Sequence, residues 1–217
     1  MKKKDVAVIG LGTFGYELAL QLAQNGHHVL AIDTDDKKIN QIKDEVDVAL
    51  TADITDPDVL KKVQIDQFNY VILAMSSNLE SIILSIVHMK KMKVPYIIGK
   101  ANTPIQKEVL LKIGADEVIL PEVSTAIRLA DKITHPDMIE KFAINENNTL
   151  MEVVVPERFQ GKTLKDLDLR KKYGLNVIMI SRNNKTEVVS KPDIVFQKGD
   201  RIFVIGTEKQ IQKNLLN

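Results

Sequence analysis

The chain has 217 residues, with 30 Lys and Arg against 29 Asp and Glu, and it contains no cysteine. A formal charge of +1 offers no electrostatic footprint for nucleic acid or an anionic bilayer, so neither is expected as the main partner. The missing cysteine excludes disulfides, thiol catalysis and zinc–thiolate centres and fits a reducing compartment. No apolar run approaches the roughly 18 residues of a membrane span. The apolar stretch behind Met1-Lys2-Lys3-Lys4 is short and leads straight into a glycine motif, unlike a signal peptide. The expected location is cytoplasmic.

The first predicted strand, Asp5–Ile9, runs into G-x-G-x-x-G with glycines at Gly10, Gly12 and Gly15. Gly10 allows the tight turn, Gly12 lets backbone approach a pyrophosphate, and Gly15 lets the following helix pack on the strand. Thr13 and Phe14 complete this loop. The helix predicted over Phe14–Asn25 then offers unpaired N–H groups to phosphate. The next strand, His28–Ile32, ends at Asp33, 18 residues beyond Gly15 (33 − 15). A carboxylate at that spacing accepts hydrogen bonds from a ribose.

Further strands are predicted over Val46–Leu50, Tyr70–Ala74, Tyr96–Gly99 and Glu117–Leu120. The helices between them are Asp35–Lys43, Pro57–Val63, Leu79–Met92 and Pro104–Ile113. Short apolar strands alternating with longer periodic helices predict a Rossmann-like, doubly wound parallel sheet in the order 3-2-1-4-5-6. Ligands bind such sheets at the C-terminal strand ends, which makes five more residues candidates. Asp53 would meet the nucleotide base or cap a helix. Ser76 and Asn78 would touch phosphate or ribose, or cap the helix from Leu79. Lys100 would meet a phosphate or carboxylate. Glu122 would bind a nucleotide-associated Mg²⁺ or serve as a helix-start acid.

Past Pro121 the pattern changes. A helix over Ser124–Ile133 is broken at His135-Pro136, and a short apolar piece, Met138–Ile144, leads to the polar turn cluster Asn145–Asn148. The expected division is a nucleotide-binding domain over 1–134, a linker over 135–147 and a small α+β domain over 148–217. That last domain is predicted to hold strands Leu150–Val155, Val177–Ser181, Glu187–Ser190 and Arg201–Ile205, a helical turn Thr163–Leu167 and a final helix Glu208–Leu216. About 70 residues make a thin core, so it is expected to dimerise or pack on the first domain.

No catalytic set accompanies the phosphate loop. Tyr96 and Lys100 match a Y-x-x-x-K spacing, but they read as a strand, where that spacing does not bring the two groups together as it does on a helix. His27 and His28 read as a solvated turn, and His88 and His135 lack ligand-spaced partners. A small NAD-dependent oxidoreductase is the rival class, and these gaps count against it.

At this point the chain resembles the RCK/TrkA-type regulators of K⁺ transport, of the Ktr kind. The resemblance covers nearly the whole chain. It rests on Ala7 to Gly15, Asp33, Gly99-Lys100-Ala101-Asn102, Lys112 to Asp116 and Ile119 to Glu122. In the second domain it rests on Leu164 to Arg170, Lys172-Tyr173-Gly174, Asn176 to Ile180 and Lys198 to Gly206. It implies a regulator rather than an enzyme: homodimers forming an octameric ring under an integral-membrane K⁺-translocating subunit of the KtrB/TrkH kind, at the inner face of the plasma membrane. The implied ligand is an adenine nucleotide, ATP/ADP or NAD/NADH, with Mg²⁺ near Glu122. Cyclic di-AMP is implied in the second domain, with Arg170 and Asn176 as phosphate contacts and Leu169, Val177 and Pro192 as apolar walls. A regulator of another channel or antiporter is the second rival. One departure stands out: Ktr-type members carry an arginine where this chain has Thr13. An uncharged side chain cannot reach for a terminal phosphate, which opens the site to NAD(H) or ADP beside ATP. Asp33 repels a 2′-phosphate and Thr34 offers no cation, so NADP is disfavoured.

Overall fold

The computed structural model of the protein describes residues 2–75, 78–183 and 185–216. The chain folds as two units, 1–124 and 125–217.

In the first unit parallel pairing follows the chain. The strands are β1 (Asp5–Ile9), β2 (His28–Asp33), β3 (Val48–Thr51), β4 (Tyr70–Leu73), β5 (Ile97–Lys100) and β6 (Glu117–Ile119), in the sheet order β3-β2-β1-β4-β5-β6. This is the expected doubly wound topology, with its reversal of direction beside β1. The central strands are apolar on both faces, as burial by helices on both sides requires. One face carries Ala7, Ile9, Leu30, Ile32, Val71 and Leu73 into one cluster, and the other carries Val6, Val8, Val29, Ala31 and Ile72 into a second.

The connecting helices are α1 (Thr13–Gln24), α2 (Asp36–Ile42), α3 (Pro57–Lys62), α4 (Leu79–Lys91) and α5 (Pro104–Lys112). Their starts follow local chemistry. Asp35, Asp56, Asn78 and Thr103 each accept a backbone N–H of the helix they precede, and Pro57 and Pro104 occupy first-turn positions where no N–H is needed. α6 spans Pro121–Thr134, three residues earlier than the predicted start at Ser124, because Pro121 opens it in the same way.

The second unit holds a five-stranded antiparallel sheet, β10-β9-β11-β8-β7. Its strands are β7 (Met138–Ala143), β8 (Thr149–Val154), β9 (Asn176–Arg182), β10 (Lys185–Val188) and β11 (Arg201–Gly206). The short helices α7 (Leu164–Leu167) and α8 (Leu169–Tyr173) and the terminal α9 (Glu208–Leu215) complete it. Leu167, Leu169, Ile211 and Leu215 bring the helices onto Met151, Val153, Ile202 and Val204. α7 is the helical turn expected over Thr163–Leu167; Asp168, at φ +43°, ends it, and α8 is a further short helix beyond those expected from the sequence.

The segment expected as a linker, 135–147, is instead part of this sheet. Met138–Ala143 pairs with β8 as β7, and Met138 is buried. Lys141 fixes the strand by meeting Asp131 at 3.0 Å and Glu208 at 2.6 Å. Asn145–Asn148 is therefore a hairpin turn, in which the Asn145 side chain accepts the N–H of Asn147 and Asn148. The division between units falls within α6 rather than at this turn.

Candidate functional site

The loop after β1 owes its shape to its glycines. Gly10 sits at φ +93°, and a Cβ there would lie 2.7 Å from the Met75 backbone nitrogen. A Cβ on Gly15 would lie 1.9 Å from the Gly10 carbonyl oxygen, so α1 can seat against the turn only with hydrogen in that place. Gly12 is different: a Cβ would meet nothing within 4 Å. It is the N-cap of α1, with no side-chain cap, and it faces open space where a ligand could approach its backbone. The first turn of α1 therefore has no capping side chain, and Gly12, Thr13 and Phe14 line the cavity beside it.

That cavity has a volume of about 360 Å³. It brings together Gly10, Gly12, Thr13, Phe14, Asp33, Asp53, Lys100 and Glu122 from the sequence-derived set. Gly15 does not line it and acts through packing. Asn78 does not line it either: its carboxamide oxygen accepts the N–H of Glu80 and Ser81 and caps α4. Ser76 lies outside the described residues. Asp53 lines the cavity while its carboxylate also accepts from the Thr55 N–H and hydroxyl, closing a local turn; the cap of the following helix is Asp56.

Asp33 is 8% exposed. Its Oδ2 accepts the Leu11 N–H at 2.6 Å and its Oδ1 accepts the Asp35 N–H at 2.9 Å. Lys38 adds its ammonium to Oδ2 at 3.0 Å. Burial pushes this carboxyl upward, but the two backbone donors and Lys38 outweigh it and hold it below the ordinary range. It is thus a fixed anion that clasps the glycine loop. Sequence reasoning missed Lys38, which also lines the cavity. The signal was weak, a lysine five residues past Asp33 in the first turn of α2. The cation absent from Thr34 comes from there.

Three strands from β2, beyond β1 and β4, Lys100 ends β5 with its side chain 8% exposed. It meets Glu122 Oε1 at 2.5 Å, and this hydrogen bond holds the Glu122 carboxyl low. Glu122 is 61% exposed, so it can leave without stranding itself, whereas Lys100 depends on a partner. The donor set fits a nucleotide: a ribose acceptor at Asp33, bare helix N–H groups at Gly12, and a buried cation at Lys100 for phosphate. For Mg²⁺ the chain itself offers the Glu122 carboxylate; among the described residues no group of three or more His, Asp or Glu gathers to hold a metal.

The other motifs weighed for chemistry separate. Tyr96 packs edge-on against Tyr70 and leans on Glu117, away from the cavity. His27 accepts the Lys4 N–H and His28 pairs with Asp47, so the two imidazoles do not converge.

In the second unit Leu169, Arg170, Asn176, Val177 and Pro192 all line one open groove of about 500 Å³. Lys165, Lys171 and Lys191 join them, facing one carboxylate, Asp168. The groove is cationic with an apolar floor.

The chain matches the TrkA-N domain over residues 6–121 and the TrkA-C domain over residues 150–215. It is 36% identical to Ktr system potassium uptake protein C of Bacillus subtilis, over 97% of this chain and 96% of that protein. It is 32% identical to Ktr system potassium uptake protein A of Vibrio alginolyticus, over 98% and 96%. The fold is shared with the RCK domain of GsuK, at 16% identity and a TM-score of 0.68 over the whole of this chain. The GsuK channel bound to NAD gives 0.67, also at 16%. This chain spans 48% and 40% of those two structures. Among the described residues no helix is long and apolar enough to cross a membrane. With both domains matched in order and full-length relatives in potassium uptake systems, the chain belongs to the RCK/TrkA-type family of regulatory subunits of K⁺ uptake.

Proposed function

We propose that this chain senses an adenine nucleotide in its first domain and controls a membrane K⁺-translocating subunit from the cytoplasmic side, without turning the nucleotide over. The observation that carries the reading is the cavity that joins Asp33, the uncapped N-terminus of α1 and Lys100. The three groups match ribose, pyrophosphate and terminal phosphate in the order a Rossmann crevice presents them. The lysines of the lining are held in ion pairs, Lys38 with Asp33 and Lys100 with Glu122, an arrangement that suits binding a nucleotide rather than turning it over. Lys100 gives the site a simple way to register phosphate. A phosphate arriving at Lys100 competes with Glu122, and Glu122 stands in the first turn of α6. A ligand that changes that pairing favours one arrangement of α6 over another, which is what a regulator requires. Thr13 is uncharged, so discrimination between ATP, ADP and NAD(H) falls to Lys100 and to a cation recruited by Glu122.

Assembly into homodimers and a larger ring, with a membrane partner, belongs to the same proposal. Ile127, Leu129 and Ile133 of α6 are 55%, 57% and 72% exposed. A second copy would cover them. The groove at Arg170 is the proposed site for cyclic di-AMP, whose two phosphates suit its cations and whose bases suit its apolar floor.

The deciding experiment is a calorimetric titration of the full chain with ATP, ADP, NAD⁺ and NADH, with and without Mg²⁺, repeated on Asp33→Ala. Binding without product formation, weakened by at least about tenfold in the variant, supports the reading. Equal affinity in the variant removes Asp33 from the site. Nucleotide-dependent reduction of a substrate would revive the oxidoreductase.

A further inference from the structure

Asp33 should make this cavity reject any ligand with a phosphate on the 2′-oxygen of its adenosine ribose, since a buried carboxylate repels it. The structure places a lysine on that carboxylate. Lys38 is the third residue of α2, and side chains of a helix's first turn tilt back toward its N-terminus. This brings Nζ to 3.0 Å from Asp33 Oδ2 and into the lining of the cavity.

The acceptor positions on Asp33 are nearly used up. Oδ2 takes the Leu11 N–H and the Lys38 ammonium, and Oδ1 takes the Asp35 N–H. A carboxylate offers about four lone-pair sites, so about one remains for a ribose hydroxyl. An ammonium has three N–H donors, and the bond to Asp33 uses one. The side chain of Lys38 is 39% exposed, so it can pivot at the solvent edge. The neighbouring acids Asp35, Asp36 and Asp53 keep their charge, each turned to a neutral donor, the Lys37 N–H, the Thr51 hydroxyl and Thr55, so Lys38 is the group that opposes them at Asp33. Lys100, the other lysine of the lining, lies beyond β1 and β4 with Glu122.

We propose that Lys38 is a specificity residue that lets this site accept a 2′-phosphorylated adenine dinucleotide, NADP⁺ or NADPH, alongside the unphosphorylated form. Its ammonium offsets the Asp33 charge and keeps two N–H donors for the 2′-phosphate. The proposal rests on the nucleotide reading above, and the two fail differently.

The test is a competition of NAD⁺ and NADP⁺ for the full-length chain, read as the ratio of their dissociation constants, in wild type, Lys38→Gln and Lys38→Arg. The wild-type ratio is expected to lie within about tenfold of unity, and Lys38→Gln to raise it by about tenfold or more against NADP⁺. Lys38→Arg should keep the wild-type ratio, because it keeps the charge. A merely structural lysine would change both affinities together and leave the ratio alone, which overturns the proposal. NAD⁺ binding with no measurable NADP⁺ binding in wild type overturns it too, and leaves the nucleotide site standing. Failure of both ligands to bind brings down the site and the proposal together.

Discussion

Two buried aspartates in this protein are held by the same kinds of partner and end in different states. Asp33, in the first domain, accepts two backbone N–H groups and the ammonium of Lys38. Asp200, in the second, is 1% exposed. It accepts Nε and Nη2 of Arg182 at 2.7 Å each, as well as the Gln197 N–H at 2.7 Å. The arginine fork is rigid and bidentate, so Asp200 closes its turn with both oxygens engaged. Lysine is a single movable point charge, and Asp33 opens on a cavity. Similar inventories therefore make a closed clamp in one place and, in the other, a fixed carboxylate at a cavity edge whose lysine partner can move. The partner's geometry and the adjoining empty space separate the two roles; burial alone does not.

Removing the Asp200 carboxylate tests this division of roles most directly. Asp200→Ala strands the Gln197 N–H and removes the partner of a half-buried guanidinium. It should cost about 2 kcal/mol of stability in denaturant melts and leave nucleotide affinity unchanged. A nucleotide effect from Asp200→Ala would undo the division of labour.

Acid sharpens it next. Burial raises both carboxyls, but their hydrogen bonds win, so both titrate below the ordinary 3.8 in the folded state. A lowered folded value means the unfolded chain binds protons first. The stabilisation is complete above about pH 4 and is lost as pH falls through the folded values. Thermal melts should thus lose stability below about pH 4. Asp200→Asn should flatten that slope more than a substitution at an exposed acid such as Glu146, and a slope unchanged by Asp200→Asn would show that the pair contributes nothing.

The smallest expected effect concerns the groove. Arg170→Ala should weaken cyclic di-AMP by about fivefold in calorimetry and leave the first site untouched, since a solvent-facing cation contributes about 1 kcal/mol. Unchanged affinity would move that ligand elsewhere.

The first site was legible in the sequence because backbone geometry leaves a mark there. A turn at φ +93° and a helix position whose Cβ would fall 1.9 Å from the Gly10 carbonyl oxygen require glycine, and Gly10 and Gly15 can be seen in one line of text. Asp33 was legible because strand length fixes its distance from that loop. Lys38 was not, since its role depends on how a helix start folds back on a strand end. β7 escaped for a similar reason. Its residues Met138-Ile139-Glu140-Lys141-Phe142-Ala143 carry no clean alternation, and the charges that hold Lys141 come from Asp131 and Glu208, the latter 67 positions away. The groove residues were found through resemblance, because surface cations on short helices have no spacing that sets them apart from a solvated face.

The Leu11 N–H bonded to Asp33 has a thermodynamic consequence. The carboxylate that would receive the ribose already holds the loop that would receive the pyrophosphate. The loop is shaped before any ligand arrives, so association incurs little ordering entropy at this point. The ligand's contact energy is then left to bias the conformation of the rest of the protein.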